Sequence, residues 1–411
     1  MPPWRIAAAG LVSLAIAMGI GRFAFTPLLP MMLADGVLDL PTASWLASAN
    51  YFGYLVGALL CTFQPWIWQR LGSPPPLAAP VVVRGGLVAT ALLTLGMALN
   101  APAAWPFLRF AAGITSAFVF VYTSGWCLSQ LALRGMPTLG ALIYTGPGAG
   151  IVLSGLAASG MVALQWPAAA GWLIFGVLAA VLTALVWPAF HAPDEAQPTV
   201  QVRPGAAVPA RSGQGQGQGH GEIGLLTLAY GLAGFGYIIT ATFLPVIARQ
   251  ALPGSHWLDL FWPIFGVGVI LGAVAASRIP AAANRRFLLA ACYLVQSVGV
   301  AASLVSPTLA GFAIGSLLLG LPFTAITFFA MQEVRRLRPE QAASLMGLLT
   351  AMYGVGQIVG PPLAAALLDR SATPGLGFAR SLQIAAGALL FGAILYLWMA
   401  RRHPAAGSGA S

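Results

Sequence analysis

Twelve stretches of this chain are apolar and long enough to cross a ~30 Å hydrocarbon layer as single helices, and little sequence is left outside them. Their limits read 4 to 33, 44 to 68, 78 to 99, 104 to 132, 138 to 164, 168 to 190, 222 to 248, 257 to 278, 286 to 305, 308 to 332, 341 to 368 and 376 to 400. With 59% hydrophobic and 7% charged residues and a mean hydropathy of +0.85, the chain has too much apolar surface for a soluble domain with a polar shell. It is expected to be an all-α membrane protein. The first run is too long for a removable signal peptide, is interrupted by Arg22, and has no small-residue cleavage pattern, so it is expected to remain as the first span.

The net charge of +10 raises the question of nucleic acid. The basic residues are all arginines set between apolar runs, however, and no clustered basic face forms, which excludes that partner. Their distribution is a topology signal instead. With the amino terminus inside, fourteen arginines fall on the cytoplasmic side and only Arg249, Arg370 and Arg380 on the other, which predicts both termini in the cytoplasm. A bacterial inner (plasma) membrane location is expected. The acidic pair Asp35 and Asp39 falls outside. Cys61, Cys127 and Cys292 lie in apolar runs without metal-ligand spacing and read as small buried hydrophobes. No metal and no cofactor is expected.

The longest polar interruption, 191 to 221, is rich in Pro, Gly and Gln and reads as a flexible cytoplasmic linker. It divides the chain into an N-terminal six-helix half, 1 to 190, and a C-terminal half, 222 to 411. An offset of 215 residues carries Gly19, Gly21, Leu29, Pro30, Gly53 and Gly57 onto Gly234, Gly236, Leu244, Pro245, Gly268 and Gly272. An offset of 207 then carries Gly113 and Gly140 onto Gly320 and Gly347. Two halves of like orientation form the parallel repeat of one transporter class.

Within this pattern, the stretch Gly19-Ile20-Gly21-Arg22-Phe23-Ala24-Phe25-Thr26-Pro27-Leu28-Leu29-Pro30 places a permanent cation in an apolar helix loosened by Gly and Pro on both sides. Arg22 lies 17 residues beyond Arg5, roughly 25 Å along a helix axis and so inside the hydrocarbon. Such a residue is a functional site by default, and the competing role is a structural arginine tied to backbone carbonyls. Arg109 is a second intramembrane cation, about 8 Å from the outer boundary, from which a long side chain can also snorkel. The central parts of the spans hold no Asp, Glu or His, so the interior is positive and an anion such as a carboxylate complements it. Asp259, near His256, is the proton-coupling candidate, with a helix cap as its more ordinary role.

The remaining interior polar set is Thr26, Tyr54, Ser116, Tyr237, Thr240, Thr324, Tyr353 and Gln357, the last two sharing a face at i and i+4. Each serves either as interhelical glue or as a ligand contact. Tyr237 holds the position of Arg22 in the second half. Gly19, Gly21, Pro27, Pro30, Gly146, Pro147, Gly234, Gly236 and Pro245 are the conformational positions.

Twelve spans, a central linker and a six-plus-six repeat resemble the major facilitator superfamily. The Gly19-to-Pro30 phrase, followed by Ala47-Ser48-Ala49-Asn50-Tyr51-Phe52-Gly53-Tyr54, resembles its YbfB/YjiJ-type branch. The resemblance implies a central cavity alternately open to each side and lined largely by spans 1, 4, 7 and 10. Two departures stand out. Gln69-Arg70-Leu71-Gly72 keeps the basic and glycine positions of the superfamily loop motif without its acid. Gly140, Gly146-Pro147 and Gly150 resemble the antiporter motif in part, which points to efflux, while close helix packing accounts for the same residues.

No paired carboxylates, metal-ligand His cluster, nucleophile with base, or phosphate-binding Gly-Lys-Ser/Thr loop is present, so catalysis and ATP hydrolysis are not expected. The expectation is a monomeric secondary transporter of a small organic solute, with the proton as a candidate coupling ion. A proton-coupled drug or sugar exporter is the alternative, ahead of a membrane receptor or enzyme.

Overall fold

The computed structural model describes residues 1–71, 78–190, 218–255, 257–280 and 283–402. Among the described residues, twelve helices are long and apolar enough to cross a membrane. We label them α1 (Pro3–Ala34), α2 (Leu40–Gln64), α3 (Ala79–Gly96), α4 (Pro102–Leu133), α5 (Gly140–Ala163), α6 (Ala168–Phe190), α7 (Gly221–Ala251), α8 (Leu258–Ser277), α9 (Arg285–Val305), α10 (Leu309–Leu337), α11 (Ser344–Asp369) and α12 (Pro374–Arg402). Residues 191–217 of the expected linker lie outside the described residues, as do Gly72, His191, His256 and His403. Helix already begins at Gln218, so the last residues of the stretch read as linker are helical.

The outer acidic pair sets two helix starts. Asp39 Oδ1 accepts the Thr42 amide at 2.9 Å, which caps α2 four residues earlier than apolarity alone places it. The Thr42 hydroxyl and amide beside Asp39 hold its carboxyl below the usual carboxylate range. Asp35, in the turn after α1, accepts the first amide of α6, Ala168 N, at 2.7 Å.

The halves are built by the same crossings. A methyl group added at Gly53 of α2 would lie 1.9 Å from the Phe110 carbonyl oxygen of α4, and the equivalent Gly268 of α8 meets Leu317 O of α10 at 2.6 Å. Likewise Gly57 meets Ile114 O at 2.8 Å and Gly272 meets Leu321 O at 1.6 Å. Gly113 meets Asn50 O at 2.1 Å and Gly320 meets Phe265 O at 2.2 Å. Only a residue without Cβ lets the two backbones come this close. Offsets of 215 and 207 residues relate the members of each pair, so the repeat is one of contacts as well as sequence.

Between the halves, α2 packs on α11, α5 on α8, and α1 on α7. Thr26 Oγ1 of α1 donates to Ala241 O of α7 at 2.9 Å, a bond between residues 215 apart and hence related by the repeat. Tyr51 and Thr242 share a hydroxyl hydrogen bond of 2.9 Å, and Ser48 Oγ donates to Ile358 O at 2.9 Å. These ties lie on the side away from the termini, which closes the halves there. On the terminal side a buried ion network binds the second half together: Arg286 of α9 donates to Glu333 of α10 at 2.6 Å, to Glu222 of α7, and to Met399 O of α12 at 2.8 Å. Arg336 reaches the same Glu333 at 2.7 and 2.8 Å.

Candidate functional site

The site begins with a break in α1. Residues Ala15–Arg22 wind as a π-helix, and Phe23 N donates back to Met18 O at 3.0 Å. Gly19 lies backbone to backbone on Gly150 of α5, where an added methyl would sit 2.4 Å from the Gly150 Cα. The wider winding turns carbonyls out of the helix, and α4 supplies their donors. Ser116 Oγ donates to Ala17 O at 2.8 Å. Arg109 Nη1 and Nη2 donate to Gly21 O and Arg22 O at 3.3 and 3.0 Å, with the guanidinium over the Phe25 ring at 5.0 Å. Asn50 Nδ2 of α2 in turn donates to Arg109 O at 2.9 Å.

Arg109 is therefore the arginine tied to backbone carbonyls, a role the sequence left open for Arg22. At 2% exposure it does not snorkel, because its side chain runs laterally into α1 rather than out to the surface.

Arg22 is placed differently. It is 4% exposed, and its Nη2 donates to Gln357 Oε1 of α11 at 2.6 Å, across the boundary between the halves. Its guanidinium lies 3.9 Å over the Tyr54 ring centroid, with the Phe23 and Tyr51 rings at 5.3 and 5.5 Å. Its Nε has no partner among the described residues. Gln357 Nε2 then donates to Tyr237 Oη of α7. One amide side chain thus bridges Arg22 to the residue that holds its place in the other half. Tyr237 stacks on Tyr353 at 5.9 Å and meets Phe323 edge-on at 5.1 Å, and Tyr353 in turn lies 4.8 Å from Tyr230.

No carboxylate is among the hydrogen-bond partners of Arg22 in the described residues, and no metal-binding group of His, Cys, Asp or Glu forms among them. The site is a cation held by a neutral amide and aromatic faces. Among the described residues no carboxylate neutralises that charge.

Of the interior residues singled out in the sequence, Arg22, Tyr54, Tyr237, Tyr353 and Gln357 come together here. Thr26 and Ser116 are engaged with backbone carbonyls, Ala241 O and Ala17 O. Thr240 and Thr324 have buried hydroxyls without partners. Asp259 lies apart, on the side away from the termini, paired with Arg249 at 2.5 Å. Its reading as a cap for α8 is corrected: the residues preceding the 3-10 turn and the helix there are Trp257 and Leu260, without a side-chain cap bond, and the carboxylate is drawn to Arg249 instead.

The Gly and Pro positions are mostly packing sites. Gly146 would meet Leu11 O at 2.3 Å, Gly234 would meet Tyr353 O at 2.2 Å, and Gly236 sits on Leu389. Pro147 opens the main helix of α5 after a break at Tyr144 and Thr145, and Pro30 and Pro245 lie inside helices. Sequence reasoning missed Asn50, Tyr51, Tyr230 and Phe323 as parts of this cluster. Asn50 and Tyr51 carried a signal, since an amide and a phenol beside Tyr54 in an apolar span need partners.

The family described as "Uncharacterised MFS-type transporter YbfB" matches residues 14–397. No curated protein matches the chain. Among solved structures, a point mutant of the nucleoside transporter NupG superposes with a TM-score of 0.73 at 16% identity, covering 96% of this chain and 99% of that one. NupG itself gives 0.65 at 14% identity, over 97% and 98%. At such identities the likeness shows the fold alone.

Proposed function

The chain belongs to the YbfB-type family of MFS transporters, and from that membership we propose that it moves a small organic anion with an aromatic or flat apolar body across the bacterial inner membrane. The observation that carries this reading is Arg22: a buried guanidinium at the boundary of the halves, with no carboxylate partner and no partner for Nε among the described residues. A ligand carboxylate would take the place of the Gln357 amide oxygen, gain a charge-assisted bond, and lay its body against Tyr237, Tyr353 and Phe323. Arg22 belongs to the first half and Gln357 and Tyr237 to the second, so exchanging the amide for a ligand alters a bond between the halves. Reopening on the side away from the termini then requires release of Thr26 from Ala241 and of Tyr51 from Thr242.

Both termini are placed in the cytoplasm on the arginine asymmetry, and the protein is taken as a monomer. Export is the direction we assign, from the partial motif in α5. Uptake of labelled benzoate into proteoliposomes of fixed orientation tests it. Accumulation from the cytoplasmic face supports export, and accumulation only from the opposite face reverses the direction.

For proton coupling, Asp259 is the carboxylate we nominate. Asp259→Asn should abolish the response of transport to an imposed pH gradient, and an unchanged response removes Asp259 from the mechanism. A second reading is favoured by the aromatic cluster: a neutral nucleoside, the cargo named for the structural neighbours, would stack on Tyr237 and Tyr353 and hydrogen-bond to Gln357. The two readings part at Arg22, which the anion requires for its charge and the nucleoside does not.

A further inference from the structure

On the lipid-facing side of the first half, α3 and α6 leave between them a groove of about 430 Å³. Its walls are apolar, with Val88, Leu92 and Leu95 on α3 facing Ala180 and Ala184 on α6, and Trp187 closes its terminal-side end. Beside that end stands Arg84. Its Nη2 donates to Trp187 O at 3.1 Å, its guanidinium lies 4.8 Å from the Trp187 ring, and its Nε has no partner among the described residues. The groove is therefore a channel for hydrocarbon with a cation and an indole at one mouth.

We propose that this groove holds one anionic phospholipid, with an acyl chain along α3 and α6 and the phosphate on Arg84. From Arg84, five residues inside the terminal-side end of α3, to Leu95, one residue from its other end, the helix advances about 16 Å, so an acyl chain in the groove lies along most of the span. Arg84 stands at the terminal-side mouth, where a long side chain can meet a headgroup. Arginine offers five donors in a planar fork suited to phosphate, and one backbone carbonyl uses only one of them. Tryptophan at that depth belongs at the headgroup boundary. The Ala180 and Ala184 pair, one turn apart and both exposed, keeps the groove open where larger side chains would fill it.

The proposal is independent of what the central site carries. Its test is the melting temperature of delipidated protein in neutral detergent, titrated with phosphatidylglycerol, phosphatidylcholine or glycerol phosphate. Phosphatidylglycerol is expected to raise the melting temperature of the wild type, by mass action on the folded state, and the other two are not. Arg84→Gln should lose that rise and Arg84→Lys should keep part of it. Ala184→Phe, which leaves Arg84 intact on an exposed face, should lose it as well. An equal rise with phosphatidylcholine, or an undiminished rise in Arg84→Gln, overturns headgroup recognition. An equal rise with glycerol phosphate, or an undiminished rise in Ala184→Phe, overturns the acyl groove.

Discussion

Two buried arginines lie within one short region of this protein, and their partners differ in kind: backbone carbonyls for Arg109, a neutral amide and aromatic faces for Arg22. Arg109 spends its donors on Gly21 O and Arg22 O, carbonyls that the π winding leaves without helical partners. Arg109→Met should therefore act on stability: each buried carbonyl left unpaired costs about 1–3 kcal/mol, read as a fall in melting temperature and in folded yield. Arg22→Met should act on transport, abolishing uptake in proteoliposomes while the protein still folds. Arg22→Lys should remain poor, since an ammonium cannot reproduce the planar fork. Gln357→Glu would set a carboxylate in the amide's place, 2.6 Å from Arg22 Nη2. That internal anion should raise the melting temperature and block transport together. A Gln357→Glu protein that transports normally would show that ligand and amide do not compete. Both arginines were visible in the sequence as cations in apolar runs. Which one is tied to backbone carbonyls was not visible, because that depends on carbonyls exposed by backbone winding, and no side-chain pattern records them.

The helices themselves were legible to within a few residues at most ends, since a twenty-residue apolar run in lipid has only a helix available to it. At the start of α2 the end moved because a loop side chain, Asp39, caps it. The π segment of α1 was legible only in part. Gly19 and Gly21 mark a weak place, but its winding is held by Ser116 and Arg109 on α4 and by the Gly19–Gly150 contact with α5. Gly19→Ala would place a methyl 2.4 Å from the Gly150 Cα, so it should destabilise by about 1–3 kcal/mol or more and disturb the Arg22 site with it. Gly387→Ala on α12 faces open space and should be neutral or slightly stabilising in the same thermal assay. Arg286 is 3% exposed and holds both Glu222 and Glu333, so Arg286→Ala should cost a few kcal/mol: Glu222 loses its partner, and Glu333 keeps only Arg336.

At the scale of the molecule, the two offsets found in the sequence return as equivalent helix crossings, which is how two six-helix halves come to share one plan. The departures from that symmetry gather at the Arg22 cluster. Arg22 and Tyr237 occupy equivalent positions, and Gln357 bridges them, so the centre is cationic on one side and aromatic on the other. The Thr26–Ala241 tie, by contrast, joins equivalent positions directly and closes one side. Cysteines at Thr26 and Ala241 should cross-link under oxidation and stop transport, with activity restored by reductant; transport through the cross-linked protein would show that this contact need not open. The central claim is that the Arg22 charge selects an anion, and paired thermal titrations of wild type and Arg22→Met test it most directly. Benzoate and a series of related carboxylates should stabilise the wild type, by about 2.7 kcal/mol at a concentration near 100 times Kd, and leave Arg22→Met unmoved, while benzamide stabilises neither. Equal stabilisation of both proteins by adenosine or by an organic cation, with none from the carboxylates, would contradict it.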